Sequence, residues 1–378
     1  MALGDTIGID DRTVLVLGQE LDVEGGQPDV ANALLHRVDD TLFLVDTGVT
    51  ERFRDAVTAA VDRVGPWQRL VVLTTHGHVD HVGNNDLADD LAQQRGVPVE
   101  HHLPARDLPQ LLDPESYWVQ SFSRIAGVVP LPAPPRLVGD RVVSLFQPLR
   151  PFGLSTRTYE QRPLERIRVG SQRMTGWTFA DGAVRVLRTQ GHCAGHVVVH
   201  LRDNRLLHLS DEGNGPCGVM HDADQFKLQA ALGAVAAMVD EGEVTTLTDG
   251  HSFEVADARQ AADRVDALLE QAMILQERAL TLLPDRGPVH PGEWVEGYAG
   301  AVAELEVGGA NPNAYFTGMM AVNQLRELGL RPDDDGAHAA WRRPDLVTPR
   351  PPAGTPRGLA LVPAAVSMAA WKIRRRDR

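Results

Sequence analysis

The stretch "TTHGHVDHVGN", residues 74–84, places His76, His78, Asp80 and His81 close together directly after an apolar run. That run, "RLVVLTT" (69–75), is short and rich in β-branched residues, which predicts a buried strand. Gly77 and the polar residues beyond it end the strand in a turn. "VGNNDLADDLAQQRG" then reads as a helix that begins near Gly83 and closes at Gly96. The four polar residues are therefore expected in a strand-to-helix loop. Loops at the carboxyl ends of strands in an α/β sheet are where ligands bind. Histidine is neither a strong turn former nor an inert solvating residue. Imidazole nitrogen combined with carboxylate oxygen suits zinc and other first-row ions. His76 and His78, two apart on an extended loop, can share one ion, and Asp80 and His81 then face a second. Such a loop opens two sites and closes neither.

The missing donors belong at the ends of other strands. "AVRVLRTQGHCAGHVVVHL" (183–201) reads as a strand, a glycine-bounded loop holding His192, and a second strand. "RLLHLSDEGNG" (205–215) is a strand ending at Asp211, and "EVTTLTDGHSF" (243–253) is one ending at His251.

These segments together resemble the metallo-β-lactamase fold superfamily, especially its dinuclear glyoxalase-like and lactonase-like branch. The family's HxHxDH loop, GHxxGH loop, aspartate after a strand and late histidine beside a glycine correspond to "HGHVDH", "GHCAGH", "LSDEG" and "DGHS", in the family's order. The resemblance implies an α/β fold, an αββα sandwich. It implies one divalent ion on His76, His78 and His192, a second on Asp80, His81 and His251, and Asp211 bridging the two. Zinc is the expected metal, with two irons as the alternative. Asp46, in "LFLVDTG", matches the family's early aspartate, which orients the metal loop from behind; the competing reading is a turn residue before Gly48. His196 matches the second histidine of GHxxGH and is expected to pack or hydrogen-bond.

Other histidines carry weaker signals. His200 and His208 lie on strands and read as core or surface residues. His101 and His102 follow the strand-like "GVPVE" and read as surface or pocket-rim residues. His221, in "GVMHDADQ", is the best remaining candidate for touching substrate, and Glu212 beside Asp211 is an unusual neighbour for the site.

Two adjacent cations deprotonate a shared water near neutral pH, and the hydroxide attacks a carbonyl or phosphoryl group leaning on one ion. Asp80 and Asp211 would lower the charge of the site and orient that nucleophile. No GxSxG elbow competes. The expected function is a metal-dependent hydrolase of an ester, thioester or lactone in a small or carrier-linked substrate. The alternative is a non-haem diiron monooxygenase of the same fold, acting on an apolar natural product or an acyl-coenzyme A. Oxygenase relatives often exchange one histidine for a carboxylate; this chain has the full histidine set, and Glu212 keeps the alternative open. A scaffold that has lost activity would not need an intact ligand set.

Composition bounds the rest. The 378 residues permit one large catalytic domain with additions, and 43% apolar content suits a full core. A formal charge of −14 argues against general nucleic-acid binding, so the expected partner is a small molecule or acyl thioester. Cys193 and Cys217 cannot build a disulfide framework or a thiolate zinc site. "MALGDTIGIDD" lacks the basic, apolar pattern of a secretory signal, so the cytoplasm is the default expectation. The secreted β-lactamases of the superfamily match poorly: they commonly use a cysteine where this chain has Asp211. "GLALVPAAVSMAAW" (358–371) is too short and proline-broken for a membrane span and reads as a docked terminal helix. No signal bears on the oligomeric state.

The catalytic domain is expected over 1–285, with an insertion at about 104–175, and a helical extension with a basic tail over 286–378. The insertion, rich in proline and aromatic residues, reads as a substrate-facing lid carrying Tyr117, Trp118, Phe122, Phe152 and Tyr159. Beyond His251, residues 254–283, 294–305 and 313–328 read as helices of a cap, and "RPDDDGAH" and "RRPDLVTPRPPAGTPRG" read as linkers.

Overall fold

The computed structural model describes residues 2–22, 25–284, 287–304, 314–332 and 340–342. The first sheet holds β1 (Thr6–Asp10), β2 (Thr13–Val16), β3 (Ala33–Val38) and β4 (Thr41–Val45) as antiparallel neighbours. Helix α1 (Glu51–Ala60) leads to β5 (Arg69–Leu73), which pairs parallel to β4. Helices α2 (Val79–Val82) and α3 (Leu87–Arg95) precede β6 (Val99–Leu103). Three helices follow, α4 (Leu108–Leu112), α5 (Pro114–Ile125) and α6 (Pro135–Leu145), before β7 (Thr156–Thr158) completes this sheet beside β6.

The second sheet begins with β8 (Glu165–Val169), β9 (Gln172–Phe179), β10 (Val184–Arg188), β11 (Val197–Leu201) and β12 (Leu206–His208), each antiparallel to the next. Helix α7 (Gln225–Asp240) crosses over to β13 (Thr246–Thr248), parallel to β12, and β14 (Ala256–Asp257) forms the edge. The chain continues into α8 (Ala258–Thr281), α9 (Pro291–Glu304) and α10 (Ala314–Glu327).

Alternation along the strands explains the layers. In β4, Leu42 and Leu44 pack with Phe53 and Val57 of α1 and Leu87 and Leu91 of α3, while Phe43 and Val45 face the other sheet. Successive side chains of a strand point to opposite faces, so a strand apolar on both is covered on both. In the second sheet, Val184, Val186, Val197 and Val199 meet Phe43 and Leu73, whereas Leu187, Val198 and Leu207 pack on Val235 and Met238 of α7 and Val265 of α8. Helix, sheet, sheet, helix is the expected αββα sandwich.

A further apolar cluster joins α5 (Phe122, Ile125), the end of α8 (Leu275, Ala279), α9 (Trp294, Tyr298) and α10 (Met319, Leu325). The insertion and the C-terminal helices therefore share one core and form one cap. Two expectations need correction. Residues 104–175 are largely regular, not the loop that their prolines suggest: Pro114 and Pro135 occupy first turns of α5 and α6, where a missing N–H costs nothing. The stretch is also shorter than expected, because β7, β8 and the start of β9 belong to the two sheets. The helix expected from Gly83 starts later, as α3 at Leu87, and a separate one-turn helix, α2, precedes Gly83. The Asn84 side-chain amide donates to the carbonyls of Thr47 and Thr50, breaking the run, so Asp80 and His81 sit on the one-turn α2 rather than in a loop. Helix α7 was not foreseen.

Helix α8 starts with a capping box: Asp257 accepts from the Arg259 and Gln260 amides, and the Gln260 side chain accepts from the Asp257 amide. Asp257→Ala is expected to lower stability by about 1 kcal/mol in a denaturant titration. The expected terminal helix, the basic tail and most of both linkers lie outside the described residues. No described helix is long and apolar enough to cross a membrane.

Candidate metal centre

The candidate donors lie on one rim of the sandwich, at strand ends or, for Asp80 and His81, on α2 just beyond β5. Asp46 follows β4, His76 and His78 follow β5, His192 lies between β10 and β11, Asp211 follows β12, and His251 follows β13. The parallel pairs β4·β5 and β12·β13 bring the carboxyl ends of those strands side by side.

At the middle stands Asp211. Its Oδ2 is 3.3 Å from His192 Nε2 and 3.8 Å from His76 Nε2. Its Oδ1 is 3.2 Å from His81 Nε2 and 3.3 Å from His251 Nε2. Asp80 Oδ2 lies 3.4 Å from the Nε2 atoms of both His81 and His251. His78 turns Nδ1 to His192 Nε2 at 3.0 Å. The donor atoms of His76, His78, His192 and Asp211 form one group within 4.8 Å of one another, and those of Asp80, His81 and His251 form a second. The two carboxylate oxygens of Asp211 thus face different groups.

This donor set fits two divalent ions. His76 Nε2, His81 Nε2 and Asp211 Oδ1 are buried without a hydrogen-bond partner in the protein. Each such atom costs about 1–3 kcal/mol if nothing satisfies it, and three at one point is a strong indication of a cation. Burial pushes the imidazoles of His76 and His192 down and that of His78 to about 3, which keeps them neutral and able to donate lone pairs. Burial opposes charging His81 and His251 too, yet Asp211, with Asp80 and Asp46 beside the first and Asp29 beside the second, raises both well above the ordinary histidine range. A cation bound there would take the place of those protons.

Behind the donors, further contacts hold several of these rings. Asp46, at φ 59°, accepts the Thr75 amide at 2.7 Å and meets His81 Nδ1 at 2.8 Å. Asp29 Oδ1 lies 3.3 Å from His251 Nδ1. Tyr117 Oη is 3.1 Å from His78 Nε2. His196 hydrogen-bonds at both nitrogens, with Thr189 Oγ1 at 3.0 Å and the Asp211 amide at 3.2 Å. Glu212 accepts the Gly191 and His192 amides at 2.8 and 3.1 Å, holding the GHCAGH loop, and burial raises its carboxyl to about 7. Asp46→Asn is expected to weaken zinc binding at the His81 group about 10–100-fold, read by competition with a chelator.

Not every residue singled out in the sequence comes to this rim. His221 stands one layer out, with Nδ1 2.9 Å from Ser121 Oγ and its ring 4.7 Å from that of Tyr117. His101 and His102 are not rim residues. They lie on β6 and are buried, His101 Nε2 2.8 Å from Thr74 Oγ1 and His102 3.0 Å from Glu100 and stacked on Tyr159. His200 and His208 are buried on their strands, as a core reading requires. Among the five lid aromatics, Tyr117 reaches the donors. Trp118 and Phe122 pack into the cap, Phe152 lies against His101, and Tyr159 is buried between the sheets with its hydroxyl on the Thr74 carbonyl at 3.0 Å. Asp29, Asp107, which accepts the Gly77 amide at 2.9 Å, and Asp222, which accepts from Tyr117 Oη at 2.6 Å, were not foreseen; none sits in a local pattern that marks it.

A sequence model described as the metallo-beta-lactamase superfamily matches residues 26–159. A hydroxyacylglutathione hydrolase of Rhizobium etli is 32% identical over 84 residues, which is 22% of this chain and 32% of that protein. A "Probable metallo-hydrolase" of Bacillus subtilis is 26% identical over 172 residues, 46% of this chain and 57% of that protein. The chain thus spans between a third and somewhat over half of these curated relatives. Among solved structures, a metallo-beta-lactamase family protein of Thermus thermophilus superposes with a TM-score of 0.55 at 19% identity, over 89% of this chain and all of the other (100%). A beta-lactamase domain protein of Burkholderia ambifaria gives 0.57 at 17% identity, over 91% and 96%.

Proposed function

We propose that this chain, which has the metallo-β-lactamase fold, is a dinuclear metallohydrolase that cleaves an ester, thioester or lactone bond and works with two zinc ions. The observation that supports it most is Asp211, whose Oδ2 and Oδ1 face two separate groups of imidazoles. His76, His78 and His192 would hold one ion, Asp80, His81 and His251 the other, and Asp211 both. Bound together, two such ions supply Lewis acidity and a water made acidic enough to lose its proton near neutral pH.

The protein's own groups do the rest. Asp211 and Asp80 bring two negative charges to a site crowded with imidazoles. Asp80 Oδ2 stands beside His81 and His251 and is placed to accept a hydrogen from a water and so aim its lone pair. Asp46 and Asp29 hold those two rings in position. Tyr117 closes the side of the site next to His78, where α5 excludes solvent. The partial match to hydroxyacylglutathione hydrolases brings thioesters to the front of the substrate classes. Nothing in the geometry favours the diiron oxygenase: Glu212 is engaged with backbone amides rather than turned to the donors.

The test is elemental analysis of protein purified without oxygen, followed by turnover of S-acylglutathione, acyl-coenzyme A and lactone substrates. Two zinc ions per chain and thioester or lactone hydrolysis are expected. Two irons with turnover that consumes dioxygen would replace this reading.

A further inference from the structure

We propose that Tyr117 and Asp222 fix the tautomer of His78, so that the cap helix α5 sets the metal affinity of the His76, His78 and His192 group. This rests on the dinuclear reading above and adds a positioning role for two residues outside the donor motifs.

The polarity follows from counting hydrogens. The Asp222 carboxylate only accepts, and Oδ2 takes the Ala194 amide at 3.0 Å. Its Oδ1 is 2.6 Å from Tyr117 Oη, so the single phenol hydrogen goes there. The phenol oxygen then offers a lone pair to His78 Nε2 at 3.1 Å, and Nε2 must carry the hydrogen. A neutral imidazole has one N–H, so Nδ1 is left with its lone pair free. Nδ1 is the atom that faces His192, on the side of the donor group.

The chain of bonds also ties three parts of the molecule together. His78 belongs to the HGHVDH loop, Ala194 to the GHCAGH loop, and Tyr117 to the cap. Tyr117 is 7% exposed, and Phe122 and Ile125 on the same helix are buried in the cap core. Asp113 caps that helix by accepting the Ser116 amide at 2.9 Å. A shift of α5 would therefore be felt at His78 and not at His81 or His251, whose rings are oriented by Asp46 and Asp29.

The experiment is a two-site zinc titration of the full-length chain against a competing chelator, with ¹⁵N chemical shifts of the His78 ring in the metal-free protein. Tyr117→Phe keeps the ring and removes the acceptor. It is expected to weaken one zinc site about 10–100-fold, leave the other unchanged, and release the His78 tautomer. Asp222→Asn offers one acceptor to two donors, the Tyr117 hydroxyl and the Ala194 amide, and is expected to weaken the same site. Circular dichroism checks folding, and if Tyr117→Phe does not fold, Asp222→Asn decides. An unchanged tautomer with both affinities retained overturns the proposal, as does equal loss at both sites, which would mark general damage. Wild-type protein that binds no zinc overturns instead the dinuclear reading on which this one rests.

Discussion

Asp211→Ala is expected to release both metal ions and abolish hydrolysis while the fold survives. Among the described residues, no other carboxylate turns its two oxygens to both imidazole groups: one oxygen is within 3.3 Å of His192 and the other within 3.3 Å of His81 and His251. Removing it takes an anionic donor from each group and leaves two cations with less charge between them. Changes to residues behind the donors cost about 10–100-fold, so loss of a shared donor should exceed 100-fold at each site. Stability should hold, because the inter-sheet core and the helix layers that carry it lie away from the rim. Elemental analysis and circular dichroism on the purified variant check both halves. Full metal retention would end the bridging role, and unfolding would show that the site also carries the structure. Asp211→Asn gives a finer reading, since one oxygen survives and one ion should remain.

How much of this was visible in the sequence follows the range of each interaction. The seven candidate donors were legible because they lie at or just beyond the ends of β-rich runs, in short patterns of histidine, aspartate and glycine. The sandwich was expected through the family resemblance that those motifs carry, and the strands apolar on both faces fit it. What could not be read was whatever depends on distant partners. His78 meets Tyr117 and Tyr117 meets Asp222 across the cap, and Asp29 meets His251 across the whole catalytic core. His101 and His102 look polar enough for a rim, and only the pairing of β6 between β5 and β7 buries them. The prolines of the insertion read as loop residues because helix starts and loops use proline alike. Helix α7, "QFKLQAALGAVAAMVD", is apolar around much of its circumference and carries little amphipathic pattern to detect.

Gly250→Ala should damage the site nearly as much as losing a donor, although it removes none. A Cβ at this position would stand 2.5 Å from Asp211 Oδ1 and 3.1 Å from His81 Cε1. The backbone there cannot retreat. The Gly250 amide donates to the Ser210 carbonyl at 3.2 Å, and its carbonyl accepts the Asn32 amide at 2.7 Å. The Asp211 carboxylate must therefore turn, and the oxygen displaced is the one that faces His81 and His251. Its partner Oδ2, toward His76 and His192, is not the atom in contact. The expected result is asymmetric: zinc affinity falls by more than about 100-fold at the Asp80, His81 and His251 group, beyond the range for residues behind the donors, and less at the other. Overpacking a buried position costs about 1–3 kcal/mol, so the variant should fold with a lowered unfolding midpoint. Gly233→Ala on α7 is the control, for a Cβ there meets nothing within 4 Å. It should keep both ions and gain about 0.5–1 kcal/mol from the helix preference for alanine. A two-site zinc titration of both variants decides the matter. Symmetric loss in Gly250→Ala would mean that Asp211 does not divide its oxygens between two ions, and full retention would mean that the glycine is not what admits the carboxylate to the centre.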